Sequence, residues 1–164
     1  MAGAQIRYTL EDGQVMAAIE RLTAVRFSVL RPIGLALVQV TQERFRDERD
    51  PFGQPWAPLN PAYAEIKRGP GILRASGLLM RSITYRAAAA EVAVGSNRIY
   101  AAVHQFGATI RPVRAKALVF RLGSRVVRAG SVTIPARPYL GFGPKDQAAV
   151  LEVVEEAVET ALGA

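Results

Sequence analysis

The sequence predicts an α+β fold, a mainly antiparallel β-sheet with a long β-hairpin, packed against N-terminal and C-terminal helices. Three observations lead there. Apolar residues recur at helical spacing near both ends, as in Val150, Val154, Val158 and Leu162. Between them lie shorter runs of alternating polarity, bounded by glycine and serine as strands and turns are. No repeat or composition break divides the 164 residues, which suits a single domain over 1–164.

Gln5 to Leu10 alternates apolar and polar side chains and reads as a short strand. Asp12 is a fair N-cap for an amphipathic helix carrying Val15, Met16, Ile19, Leu22, Val29 and Leu30. Pro32 then either sits in the first turn of a second helix or kinks one long helix, which continues to about Arg49. From Asp50 to Pro61 four prolines rule out regular structure, and Trp56 and Leu59 suggest a loop that packs down. Asn60 caps a short helix, Pro61 to Lys67, with proline at its first position.

Ser76 to Arg81 reads as one helical turn, Ser82 to Arg86 and Glu91 to Gly95 as strands, and Ala87 to Ala90 as their connection. Ile99, Ala102, Val103 and Phe106 have helical spacing, with Gly107 as a plausible terminator. Gly77, Gly95, Gly107 and Gly141 are read as turn or cap positions. Thr109 to Leu122 and Val126 to Ile134 form the arms of a protruding hairpin, about 109–134, joined by Gly123-Ser124-Arg125. The final helix, Lys145 to Leu162, has an apolar stripe widened by Leu151 and Ala161 and a glutamate-rich opposite arc.

Half of the residues are hydrophobic, so a sizeable core is feasible. There is no cysteine, which removes disulfides, thiolate metal sites and a Cys nucleophile. No signal peptide is expected, and the longest apolar-looking run, Ile33 to Val40, falls short of the ~20 residues a membrane helix needs. The net charge of +7 is unevenly placed. Val92 to Pro144 has no Asp or Glu but contains Lys116 and seven arginines: 98, 111, 114, 121, 125, 128 and 137. The last helix carries Asp146, Glu152, Glu155, Glu156 and Glu159. Such a split suits nucleic-acid contact, or opposite faces meeting in an assembly.

Catalytic chemistry finds little support. The one histidine, His104, has no acidic residue within a dozen positions and reads as a packing or capping side chain. Asp47, Glu48 and Asp50 precede a turn and read as solvated, and the later glutamates are a helix's polar face. Gly141-Phe142-Gly143-Pro144-Lys145 lacks the ending and strand context of a phosphate loop. No cofactor, metal site or enzyme activity is expected. In the hairpin, period-two geometry puts Arg111, Val113, Ala115, Ala117, Val119 and Arg121 on one face. Arg114 and Lys116 then fall on the other, with Phe120, so the cations form no single stripe.

Several phrases share one order: Trp56-Ala57-Pro58-Leu59 with Tyr63 and Lys67, then Leu73, Ser76-Gly77-Leu78-Leu79 and Ser82-Ile83. Val94-Gly95-Ser96, Tyr100-Ala101, His104-Gln105-Phe106-Gly107 and Ile134-Pro135-Ala136-Arg137-Pro138-Tyr139-Leu140-Gly141 follow. Over about residues 40 to 160 this order resembles the phage virion morphogenesis (tail completion) family of Mu-like phages. More distantly it is similar to neck and tail-terminator proteins of long-tailed phages.

The resemblance implies a non-enzymatic virion protein, made in the host cytoplasm and placed at the head–tail junction. Its implied partners are further copies of itself in a ring, six by tail symmetry, and the tail tube or head-side connector proteins. It leaves open terminator against stopper or connector. The expected assembly contacts are Arg111, Arg114, Lys116, Arg121, Arg125 and Arg128, with the loop around Trp56 second. No membrane partner is expected. Within the ring reading, non-specific contact with DNA in the lumen is a further partner. The alternative reading is a basic nucleic-acid-binding module that contacts DNA without sequence specificity.

Overall fold

The computed structural model describes residues 13–88 and 91–163. The strand expected at 5–10 and the cap expected at Asp12 lie outside them. Helix α1 runs Gly13–Ser28 and α2 runs Leu30–Asp47, separated at Val29. Pro32 therefore stands in the first turn of a second helix, where a missing N–H removes no intrahelical bond. Glu48 ends α2 in the left-handed region at φ 56°.

Glu48 then ties two loops to the helix end. Its carbonyl accepts from Trp56 N at 2.8 Å, and its carboxylate accepts from Ile72 N at 2.7 Å. Asp50 Oδ1 accepts from Phe52 N and Gln54 N, both at 2.8 Å, closing an Asx-type turn. Asp47 meets Lys145 Nζ at 3.2 Å. The three carboxylates read as merely solvated each have a partner, local for Asp50 and distant in sequence for Asp47 and Glu48.

Asn60 caps α3, Pro61–Ala64, by accepting from Ala62 N at 3.0 Å. Helical hydrogen bonds continue to Lys67 N, which reaches Tyr63 O at 2.9 Å. Helix α4, Leu78–Arg81, leads into β1, Ile83–Ala88, which pairs antiparallel with β2, Glu91–Ser96. Gly95 is a β2 residue opposite Thr84, not a turn. Next come α5, Ala101–Phe106, and four short strands: β3 Ala108–Ile110, β4 Leu118–Leu122, β5 Arg125–Ala129 and β6 Val132–Ile134. Helix α6, Pro144–Leu162, closes the chain's described part.

The class is α+β and every ladder is antiparallel. The strands form three separate two-stranded ladders, however, where one larger sheet was expected. In the hairpin β3 pairs with β6 and β4 with β5, so the nesting is as expected but the arms are not continuous. Residues 111–117 on the first arm face only 130–131 on the second, and the five extra residues loop out. Pro112, with no N–H to give a ladder, sits at the start of that interruption.

Helix α2 lies across β1 and β2, and α6 lies along α2 and α1. A Cβ at Gly34 would stand 2.2 Å from the Tyr85 ring, so glycine permits the close approach of α2 to β1. Phe45 and Tyr139 are fully buried, with ring centroids 5.0 Å apart, and Trp56 meets Phe45 edge-on at 5.5 Å. Ile72, Leu79, Ile83 and Ala101 complete the core. Along Ile19–Asp47 the consecutive helices are long and apolar enough to cross a membrane by length and composition alone. The α2 part of that run packs against β1, β2 and α6 as a core helix does.

Two amphipathic readings change. Leu151 and Leu162 of α6 are 51% and 53% exposed, so its inward stripe is narrower and centres on Val150, Val154 and Val158. On α5 the inward residue is Ala101 and Phe106 is 77% exposed, while Ile99, expected on the same helix, precedes it and is 96% exposed. Apolar spacing fixes which residues share a helix face, but not which face the rest of the chain covers.

Candidate functional site

Beneath the surface, the Ile134–Phe142 phrase is held by side chains from distant parts of the chain. Gln105 substitutes for a strand partner: its Oε1 accepts from Tyr139 N and Leu140 N, both at 3.0 Å, and its Nε2 donates to Leu140 O at 2.8 Å. Tyr139 Oη donates to Ala101 O at 3.1 Å, and Trp56 Nε1 to Pro138 O at 2.7 Å. Arg137 is buried and donates from Nε to Ala57 O at 2.7 Å and from Nη2 to Pro58 O at 2.9 Å. The proline loop is thus fastened to the chain about 80 residues later, which explains why both phrases occur together.

Arg44 of α2 does the same for the start of α6. Its Nη1 donates to Tyr139 O at 2.9 Å, and its Nη2 pairs with Asp146, whose Oδ2 also accepts from Gly143 N at 2.8 Å. Sequence reading missed Arg44, Gln105 and Asp146. The one available signal was Arg44 amid the apolar positions Val40 and Phe45, where a charge must find a partner. Trp56, expected as a second assembly contact, is corrected to a core residue at 5% exposure. The outward aromatic of its loop is Phe52, 70% exposed.

The six predicted cations are all exposed but divide into two groups. Arg111, Arg114 and Lys116 lie in the looped-out segment, so their expected strand faces do not exist. Arg121 lies on β4, and Arg125 and Arg128 on β5. Register pairs Val119 with Arg128 and Arg121 with Val126. Cross-strand partners share a face, so one hairpin face alternates two valines with two arginines. Val119 and Val126 are 60% and 58% exposed on it. The other face carries the half-buried Leu118, Leu122 and Val127. Arg125 belongs there by register but stands at the tip, beside the Gly123-Ser124 turn. Gly123 has φ 63°, the chemistry a two-residue hairpin turn needs.

Helix α6 presents the opposite sign. Leu151, Glu155 and Glu159 recur at four-residue spacing on its exposed side, flanked by Glu152 and Glu156. Among the described residues the ion pairs are Arg44–Asp146, Arg74–Glu48 and Lys145–Asp47. Among the described residues, the hairpin arginines and the α6 glutamates therefore join no ion pair.

A cleft of about 240 Å³ opens beside α5. Leu59, Leu79 and Tyr100 give it apolar surface, and Lys67, His104 and Arg137 contribute nitrogen. His104 Nδ1 is buried without a hydrogen-bond partner. Burial, and then the neighbouring Arg137 charge, hold the imidazole pKa below its ordinary value. No group of three or more His, Asp or Glu with metal-binding geometry occurs among the described residues.

These features define a small α+β subunit whose polar groups are spent inside on clasping loops and whose unpaired charge lies on two separate outer faces. The chain belongs to the phage virion morphogenesis family, whose model matches residues 11–159. It is 31% identical over 147 residues to the Mu-like prophage FluMu G protein 2 of Haemophilus influenzae, covering 87% of this chain and 88% of that protein. It is 29% identical over 141 residues to protein G of Escherichia phage Mu, whose name assigns it provisionally to capsid assembly, covering 82% and 81%. No solved structure matches the chain. The resemblance carried by the ordered phrases is thus a family membership, and a bacteriophage structural role follows.

Proposed function

We propose that the chain is a non-enzymatic, ring-forming subunit at the head–tail junction, acting in head–tail joining or tail completion as a neck or tail-terminator protein. One observation carries the ring: the basic hairpin face and the acidic α6 face are complementary, and neither joins an ion pair among the described residues. A contact between two different patches repeats from copy to copy and closes into a ring when the rotation allows. The spacings match. Val119 and Arg121 stand ~6.8 Å apart along a strand, and Leu151 and Glu155 ~6 Å apart along a helix. A valine–arginine pair can thus meet the Leu151–Glu155 pair of the next copy.

Six copies follow from tail symmetry, and the tail tube or head-side connector proteins are the neighbours the ring would meet. The test is the molar mass in solution by light scattering, at low and high salt. A ring that loosens with salt supports the reading, and a single-chain mass at every concentration overturns it. The second reading, loose contact with DNA, draws on the acid-free run from Val92 to Pro144. It predicts a monomer that retains DNA at low salt.

A further inference from the structure

The charge in the cleft beside α5 is uncompensated. Arg137 is only 5% exposed, and its recorded bonds go to the Ala57 and Pro58 carbonyls. Lys67 Nζ likewise reaches only carbonyls, Arg68 O at 3.2 Å and Gly69 O at 3.1 Å. Carbonyls satisfy N–H groups without neutralising a cation. Neither residue joins an ion pair among the described residues, and no Asp or Glu lines the cleft. His104 Nδ1 is buried in the same wall with no partner. A guanidinium kept from water without a counter-charge favours any anion that can reach it.

We infer that this cleft receives a carboxylate carried on an apolar side group, presented by an acidic peptide segment of a partner protein. Apolar surface from Leu59, Leu79 and Tyr100 would hold the carbon skeleton, while Arg137 and Lys67 would face the oxygens beside the His104 ring. At about 240 Å³ the cleft is below the ~300–1,000 Å³ of drug-sized ligand sites, which suits one anchoring side chain. None of its lining residues belongs to the hairpin or to α6, so it adds a second kind of contact to whatever those faces make.

His104 is the chain's one histidine, so its ring protons in an NMR spectrum report on this cleft alone. The full chain is titrated with 3-phenylpropionate and, in parallel, with uncharged 3-phenylpropanamide. The expected result is a saturable shift of the His104 signals with the acid alone. The histidine titration midpoint should rise too, because a carboxylate beside the ring offsets the Arg137 charge. Lys67→Gln, which leaves the Arg137 clasp intact, should weaken the binding several-fold. No saturable shift, an equal shift with the amide, or full binding by Lys67→Gln overturns the site. A peptide of residues 144–162 that displaces the probe at matching affinity would also overturn it, by making the occupant a second copy.

Discussion

Arg44 and Asp146 form an ion pair almost wholly removed from water, with side-chain exposures of 4% and 2%. The pair joins α2 to the first turn of α6 across 102 residues of sequence. Breaking a buried pair from one side leaves a bare charge inside, so Asp146→Ala should lose about 3–5 kcal/mol of stability in urea unfolding. Replacing both partners with apolar residues, as in Arg44→Met with Asp146→Leu, should cost clearly less than the two single changes added together. A fully additive result would show that the two do not act as a pair.

Gln105 is expected to matter through backbone groups it does not own. Gln105→Leu keeps the bulk but strands the Tyr139 and Leu140 amides, at a cost of about 1–3 kcal/mol for a buried group left unpaired. Hydrogen exchange should accelerate at those two amides more than in α6. Unchanged protection there would contradict the strand-substitute role.

Gly143 offers a purely steric test. Its φ of −113° suits any residue, but a Cβ would stand 1.9 Å from the Pro51 carbonyl oxygen. Backbone cannot yield as a side chain can, so Gly143→Ala should destabilise by about 1–3 kcal/mol or more. A thermal melt equal to wild type would mean that Pro51 and Gly143 do not approach this closely.

The histidine supplies a pH prediction with a definite sign. The folded chain holds His104 below its ordinary value of 6.5, so the unfolded chain binds the proton more readily. This contribution to stability is complete above pH 6.5 and declines as pH falls through 6.5 to the lower folded value. His104→Gln should flatten that part of the stability profile, measured by denaturant midpoints across pH. A profile as steep as wild type would place the proton linkage elsewhere.

Local chemistry made several elements legible. Asn60 and Pro61 mark the start of α3, Pro32 sits in the first turn of α2, and the spacing of Val150, Val154 and Val158 finds α6. Each signal lies within a few residues of what it determines. The buried clasp was illegible because its partners are far apart: Arg44 meets Asp146, Trp56 meets Pro138, and Gln105 meets Tyr139. Alternation found the hairpin but not the looped-out residues 111–117, since only the paired strand reveals a register change. Much of what identified the family turns out to be internal fastening, although Tyr63, Leu78, Tyr100 and Phe106 of the same phrases are exposed. The basic residues named for assembly are all at the surface, and three of them share the outer hairpin with exposed valines.

The ring contact is tested most directly by a charge swap read as molar mass. Arg121→Glu with Arg128→Glu makes the valine-bearing hairpin face acidic, and Glu155→Arg with Glu159→Arg makes the Leu151 row of α6 basic. Each variant alone should sediment as a single chain. Mixed in equal amounts, they should reassemble as an alternating ring in which every hairpin meets a helix of opposite sign, which an even number such as six permits. If either variant still forms the wild-type assembly, or the mixture stays monomeric while wild type does not, the hairpin and α6 are not the faces that meet.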